Sequence, residues 1–297
     1  LGEHCELVVC STDDPKFDDL LSRAEGLVVR TYTVVDKALL ARAPKLRVVG
    51  RAGVGVDNID LEACAVRGVA VVHTPDSNTQ AVVEYVLLMM LKALRPVVEV
   101  TKAVDPSAWK QLRDTHVATR QLSEMTLGVL GFGRVGSRVA QVANTIGMNV
   151  CFNDLKPIDP SEHKGIQSLS LDHLLSRSDV LTIHIDGRPS NDKFIDAQRL
   201  GLLKDDVLLI NTSRGMVVNT DDLASFLQSH GQARALLDVH ASEPITANNP
   251  LLSTVNATLL PHLASRTETA SKQMSLVVRD VVAVLEGHTP KWPAISL

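Results

Sequence analysis

Short, continuous apolar runs recur along this chain with helix-like stretches between them, and that rhythm restricts the fold more than any other feature. In the first third the runs are Leu7 to Cys10, Gly26 to Arg30, Leu46 to Gly50 and Val69 to Val72. Helix-like stretches follow at Pro15 to Ala24, Val34 to Ala43, Asp60 to Arg67 and Gln80 to Leu94. Runs without polar alternation suit parallel strands covered on both faces. Strand and helix in turn imply βαβ units and a doubly wound sheet. A polar stretch with Pro106 then leads to Glu124, and the rhythm restarts. Six further runs are expected as strands: Thr126 to Gly131, Asn149 to Asn153, Asp179 to His184, Val207 to Asn211, Ala235 to Val239 and Thr258 to Leu260. A last helix is expected from Thr267 to Glu286, stopped by Gly287, Pro290 and Pro293. Residues 82–94 are apolar nearly all round, which fits either a central helix between layers or a face that meets another surface.

Composition removes several functions. Of 297 residues only five Phe, two Tyr and two Trp are aromatic, too few for base-stacking platforms. The formal charge is −4 and no Lys/Arg block stands out, so no nucleic-acid partner is expected. No apolar run is long enough to span a bilayer, and no signal peptide precedes the first run. Cys5, Cys10, Cys64 and Cys151 lack CxxC or zinc-like spacing. They are expected as buried thiols in a reducing, cytoplasmic setting. Nothing has the spacing of a metal site.

The stretch Gly131-Phe132-Gly133-Arg134-Val135-Gly136 fits GxGxxG. It follows a strand-like run and opens a helix-like one, the context in which the pattern has a mechanism. The first glycine permits the turn, the second lets backbone approach a pyrophosphate, and the third lets helix and strand pack closely. The helix N-terminus then attracts the phosphates. Asp154 follows the next strand and can accept the ribose hydroxyls of NAD. Lys156, two residues on, keeps NADP as the competing cofactor. The fingerprint lies mid-chain, so another unit precedes it.

Ligands of open α/β sheets bind beyond the carboxyl ends of the strands. Three successive strand ends there carry Arg214, Glu243 and His262. Singly each is commonplace. Together they suit hydride transfer between a 2-hydroxy acid and a nicotinamide: His moves the hydroxyl proton, the carboxylate orients and charges the imidazole, and the guanidinium holds the substrate carboxylate.

These residues resemble the D-isomer-specific 2-hydroxyacid dehydrogenases over nearly the whole chain, nearest within that family to the phosphoglycerate-oxidising members. The resemblance rests on Val49 to Asp60 (VGRAGVGVDNID), Leu209 to Gly215 (LINTSRG), Leu237-Asp238-Val239 with Glu243-Pro244, and Pro261-His262-Leu263. It implies a discontinuous, flavodoxin-like substrate domain of residues 1–95 and 268–297 and a Rossmann NAD-binding domain of residues 96–267. It implies that Arg214 binds the substrate carboxylate, with His262 as acid/base and Glu243 as its partner. Val54 and Gly55 with Asn78 would also hold the carboxylate. Asp238 would reach the nicotinamide carboxamide. His184 and Thr212, at strand ends, would join Gly131, Gly133, Arg134, Val135, Gly136 and Asp154 around NAD. Arg30 and Arg51 would hold a substrate phosphate, which makes 3-phosphoglycerate, the starting acid of serine biosynthesis, the expected substrate. Residues 96–124 would form part of a homodimer arm, catalysis would occur in a closing cleft, and no C-terminal regulatory domain is expected.

The chain departs from the family pattern at His73, where Asn is usual, at Ala264 to Thr267, and at Ile185 to Arg188 in the adenine loop. Glyoxylate or hydroxypyruvate reduction is the alternative chemistry. An NADH-sensing, corepressor-like binding protein is the non-enzymatic alternative. Formate dehydrogenase fits less well, because that enzyme pairs its His with Gln.

Overall fold

A computed structural model describes residues 4–159 and 163–295 of the chain. It divides into two compact units, Leu1–Thr79 with Ser265–Leu297, and Gln80–Ala264.

The first unit is built on three parallel strands, β1 (Gly26–Val29), β2 (Val48–Arg51) and β3 (Ala70–His73), paired in that order. Helices α1 (Phe17–Arg23), α2 (Lys37–Arg42) and α3 (Leu61–Val66) supply Leu21, Leu39, Leu40 and Cys64 to a core with Val49 and Val71. The opposite face carries Val48, Ala52, Ala70 and Val72, and there α11 (Val277–Leu285) contributes Val277 and Val281. With both faces covered, the strands have no polar alternation to show. Asp36 and Asp60 cap α2 and α3 by accepting from Leu39 N and Ala63 N, each at 2.8 Å. Asp280 of α11 accepts from Lys291 N at 3.0 Å and Trp292 N at 2.8 Å. The following residues then pair with β3, through His73 N to Trp292 O at 3.1 Å and Ala294 N to Val71 O at 2.7 Å.

Two expectations fail in this unit. Leu7 to Cys10 pairs with no strand, and Leu7, Val8 and Val9 are all exposed. An apolar tetrapeptide cannot be told from a strand by composition alone. The single helix expected from Thr267 to Glu286 is two, α10 (Glu268–Ser275) and α11, separated at Leu276.

The second unit holds seven parallel strands: β4 (Thr126–Leu130), β5 (Asn149–Asn153), β6 (Ile166–Ser168), β7 (Val180–Ile183), β8 (Leu208–Asn211), β9 (Arg234–Leu237) and β10 (Ala257–Leu259). Their spatial order is β10-β9-β8-β7-β4-β5-β6. Counted from β4, this is the 3-2-1-4-5-6 order of a dinucleotide-binding sheet with one more strand at the far edge. The expected count of six therefore omitted β6, the third strand of that order. Helices α6 (Arg134–Thr145), α7 (Leu171–Arg177), α8 (Ala197–Leu200) and α9 (Thr220–Ser229) complete the crossovers.

Helix α4 (Thr79–Leu94) buries Val82, Val83, Val86, Met89 and Met90 in a core with Leu127, Val129, Phe152 and Ile210. The unit boundary thus falls at the start of this helix, and again at Ser265, rather than at residues 95 and 268. Leu88 and Leu91 on the same helix remain exposed. Helix α5 (Pro106–Thr115), within the polar stretch that leads to Glu124, buries none of its residues. Of the thiols, Cys64 and Cys151 are buried as expected, but Cys5 and Cys10 are only partly covered.

Asp179, at the mouth of β7, is nearly enclosed. It accepts from Arg120 Nη1 at 2.8 Å, Lys204 Nζ at 2.9 Å and Thr126 N at 2.7 Å. Burial opposes its charge, but these partners outweigh burial and hold its carboxyl below the usual carboxylate range. Asp179→Ala should therefore cost about 3 kcal/mol, because two cations and a backbone donor lose their acceptor. Urea unfolding measures the loss.

Candidate active site

Beyond β4 the chain turns at Gly131, whose φ is +92°. A Cβ there would lie 2.8 Å from the carbonyl of His184, the residue after β7. A Cβ on Gly136 would lie 2.0 Å from Gly131 O. Gly133 differs: among the described residues, no atom outside its chain neighbours stands within 4 Å of the Cβ position. Two glycines thus permit close chain packing and one leaves open space before α6, which suits a dinucleotide pyrophosphate at a helix N-terminus. Arg134 and Val135 open that helix, with Arg134 exposed. Asp154 closes the turn from the β5 side, accepting from Phe132 N at 2.6 Å and Lys156 N at 2.8 Å. Beneath, Phe132 stacks on Phe152 with ring centroids 3.8 Å apart.

Two further polar groups follow β7 and β8. His184 Nε2 lies 2.9 Å from Thr182 Oγ1. Burial pushes the imidazole down to about 3, so the ring is neutral at physiological pH. Thr212 Oγ1 is buried without a hydrogen-bond partner among the described residues. An unsatisfied buried hydroxyl at the end of β8 fits a polar cofactor that supplies the missing partner.

A second polar cluster is assembled by loops leaving β8, β9 and β10. Asn211, 1% exposed, organises the first. Its Oδ1 accepts from Ser213 N at 3.0 Å and Ser213 Oγ at 2.9 Å, while Nδ2 donates to Arg214 O at 2.9 Å. Arg214 Nη1 donates to Ser213 O at 2.7 Å. In the second loop Glu243 Oε1 accepts from His240 N at 3.0 Å. Glu243 Oε2 accepts from His262 Nδ1 at 2.7 Å. Burial would raise the Glu243 carboxyl, but the His262 and His240 hydrogen bonds and the nearby imidazole charges outweigh it, so it lies below its ordinary value.

His262 itself has φ +56°, a left-handed conformation uncommon outside glycine. Asp238 holds it there, accepting from Leu263 N at 2.8 Å and Ala264 N at 2.7 Å. Burial raises the Asp238 carboxyl further than those bonds and the His262 charge lower it. Asp238 is fully enclosed, and the task visible in the fold is support of the His262 turn.

In the first unit, Val29, Arg51 and His73 pair side by side at the carboxyl ends of β1, β2 and β3. Arg30 follows, exposed. Arg51 is buried, donating from Nη1 to Ala52 O at 2.7 Å and from Nη2 to Thr31 Oγ1 at 3.2 Å. His73 Nδ1 donates to Val54 O at 2.8 Å, so this departure from the family pattern buttresses the loop of Val54 and Gly55. Asn78 lies partly exposed at the foot of α4. Sequence reasoning did not single out Asn211, Gly215 or His240. The Asn-x-Ser turn was the available signal for Asn211.

Residues 87–264 match the family model described as the D-isomer specific 2-hydroxyacid dehydrogenase, NAD binding domain. The chain is 35% identical over 285 residues to a glyoxylate reductase of Aeropyrum pernix, covering 93% of this chain and 85% of that one. It is 33% identical over 274 residues to a D-3-phosphoglycerate dehydrogenase of Archaeoglobus fulgidus, covering 92% of this chain and 51% of the relative. It thus spans about half the length of the phosphoglycerate dehydrogenases it matches. Among solved structures it is similar to a D-lactate dehydrogenase of Aquifex aeolicus complexed with NAD and lactic acid, with TM-score 0.80, 27% identity, and coverage of 96% and 90% of the two chains. The chain belongs to the D-isomer specific 2-hydroxyacid dehydrogenase family. Its second unit carries that family's NAD binding domain.

The state of His184 has a measurable consequence. The fold keeps it neutral down to about pH 3, whereas the unfolded chain binds a proton near ~6.5. Stability is therefore full above the unfolded value and falls as pH drops through this window. His184→Gln should flatten that decline, read as urea midpoints between about pH 7 and 4.

Proposed function

We propose that this chain is an NAD-dependent D-2-hydroxyacid dehydrogenase acting on a short anionic acid, with 3-phosphoglycerate as its substrate. The observation that carries the reading is the 2.7 Å hydrogen bond from His262 Nδ1 to Glu243 Oε2. A carboxylate only accepts, so Nδ1 keeps its hydrogen and Nε2 is the nitrogen that exchanges a proton with substrate. In the oxidative direction Nε2 takes the proton of the C2 hydroxyl while hydride leaves C2, and the hydroxyl becomes a carbonyl. Bound NAD supplies the hydride acceptor. Glu243 balances the imidazolium that results, and the Arg214 guanidinium holds the substrate carboxylate. Val54, Gly55 and Asn78 are proposed as the substrate-binding residues of the first unit. Gly131, Gly133, Arg134, Val135, Gly136, Asp154, His184 and Thr212 are proposed to hold NAD, with Asp238 near its carboxamide.

The phosphate reading is supported by Arg30 and Arg51 standing at the ends of neighbouring strands. A specific observation favours a second reading. Arg51 is buried and bonded to Ala52 O and Thr31 Oγ1, which suits an unphosphorylated acid such as glyoxylate or hydroxypyruvate. We take the working form to be a cytoplasmic homodimer, with exposed Leu88, Leu91, Val97, Val98 and Val100 as the surface to be covered. No helix among the described residues is long and apolar enough to cross a membrane.

Steady-state assays with NAD(H) and a panel of acids test the reading. His262→Ala should lower kcat by about 10³-fold while leaving NADH affinity nearly unchanged. Arg30→Ala should raise the KM for 3-phosphoglycerate by about tenfold or more and spare hydroxypyruvate. A purified protein that binds NADH but reduces no 2-keto acid, 3-phosphohydroxypyruvate included, would exclude the enzyme.

A further inference from the structure

We infer that His240 is a positioning residue for the acid/base pair, the junction at which the three loops of the site are fastened together. The inference rests on the reading of Glu243 and His262 given above. Three parts of one residue reach three loops. The backbone N–H donates to Glu243 Oε1 at 3.0 Å. The ring Nε2 donates to Leu260 O at 2.7 Å, two residues before His262. The backbone carbonyl lies against Gly215, where a Cβ would stand 1.9 Å from His240 C and 2.1 Å from His240 O. The residue next to Arg214 therefore packs directly on His240, and only a glycine fits there.

The ring contact does something that backbone pairing cannot. Strands β9 and β10 register through Leu237 and Leu259, and their last rung is Leu260 N to Leu237 O at 2.8 Å. Past that point the two strands diverge into the Glu243 and His262 loops. The His240 ring bridges the divergence from the β9 side, as the Asp238 bonds to Leu263 N and Ala264 N do one turn further on. Because a carbonyl only accepts, the contact requires hydrogen on Nε2, which fixes the ring's tautomer. The spacing between the Glu243 carboxylate and the His262 imidazole is thereby set from outside the pair. Groups that orient a catalytic imidazole through its partner in this way govern how well it works without touching substrate.

The test uses two variants of the full chain. His240→Phe keeps the ring volume but cannot donate, and His240→Gln can still donate to Leu260 O. Nitrogen-15 NMR of the His262 ring reads the pair independently of turnover. In the wild type and in His240→Gln, His262 should show a single tautomer with hydrogen on Nδ1. In His240→Phe it should show averaged tautomers. In the assay, His240→Phe should lose about tenfold in kcat, with the KM for NADH unchanged and a larger solvent deuterium isotope effect. His240→Gln should recover most of that loss. The inference is overturned if His240→Phe keeps both the wild-type His262 spectrum and the wild-type kcat. It is equally overturned if the Gln variant, folded to the same thermal midpoint, is as impaired as Phe. A wild type without turnover whose His262 spectrum still responds to Phe and not to Gln would defeat the dehydrogenase reading and leave the positioning role standing.

Discussion

Asp238 is fully enclosed and binds the backbone N–H groups of Leu263 and Ala264 with its two carboxylate oxygens. No guanidinium or ammonium contact is needed to hold it. Those two bonds secure the left-handed turn at His262, a conformation that a side-chain-bearing residue keeps only when its surroundings impose it. The direction of the imidazole and its reach to Glu243 follow from that turn. A buried carboxylate without a partner would be costly, and the two amide donors make it tolerable while burial still raises its pKa.

The glycine fingerprint was legible because its meaning is steric. Gly131 and Gly136 occupy places where any Cβ would collide with backbone, and no other residue type can satisfy that requirement. The pairing of Glu243 with His262 was legible because strand ends can be located from apolar runs, and strands of one sheet deliver their loops to one rim. Strand β6 was not, since Ile166-Gln167-Ser168 places one buried residue beside two exposed ones and offers no periodicity to read. Its existence follows from the neighbouring strand, not from its own residues. Leu7 to Cys10 failed in the opposite way: the composition of a strand without a partner in the fold. Asn211 and His240 escaped notice because they act through hydrogen bonds to backbone, and nothing in a residue's identity says which carbonyl it will meet.

Chemistry is divided between the units in a way that their sequences reflect. The second unit holds the titratable groups Glu243, Asp238, His184 and His262, and backbone amides donate to Glu243 and Asp238. The first offers permanent charge in Arg30 and Arg51, with His73 supporting the Val54 carbonyl. Few aromatic residues are needed for either task. The notable ring pair, Phe132 on Phe152, lies under the glycine turn and serves as its floor.

The two units also differ in how the ribosome would deliver them. The second is a single uninterrupted segment, Gln80–Ala264, whereas the first is closed by Ser265–Leu297. Until α11 emerges, the face of β1 to β3 that carries Val48, Ala52, Ala70 and Val72 has nothing to cover it. Of these two units, the one begun first is thus completed second during synthesis. For the whole time the second unit is being translated, a half-built apolar sheet stands open to chaperones, proteases and neighbouring chains.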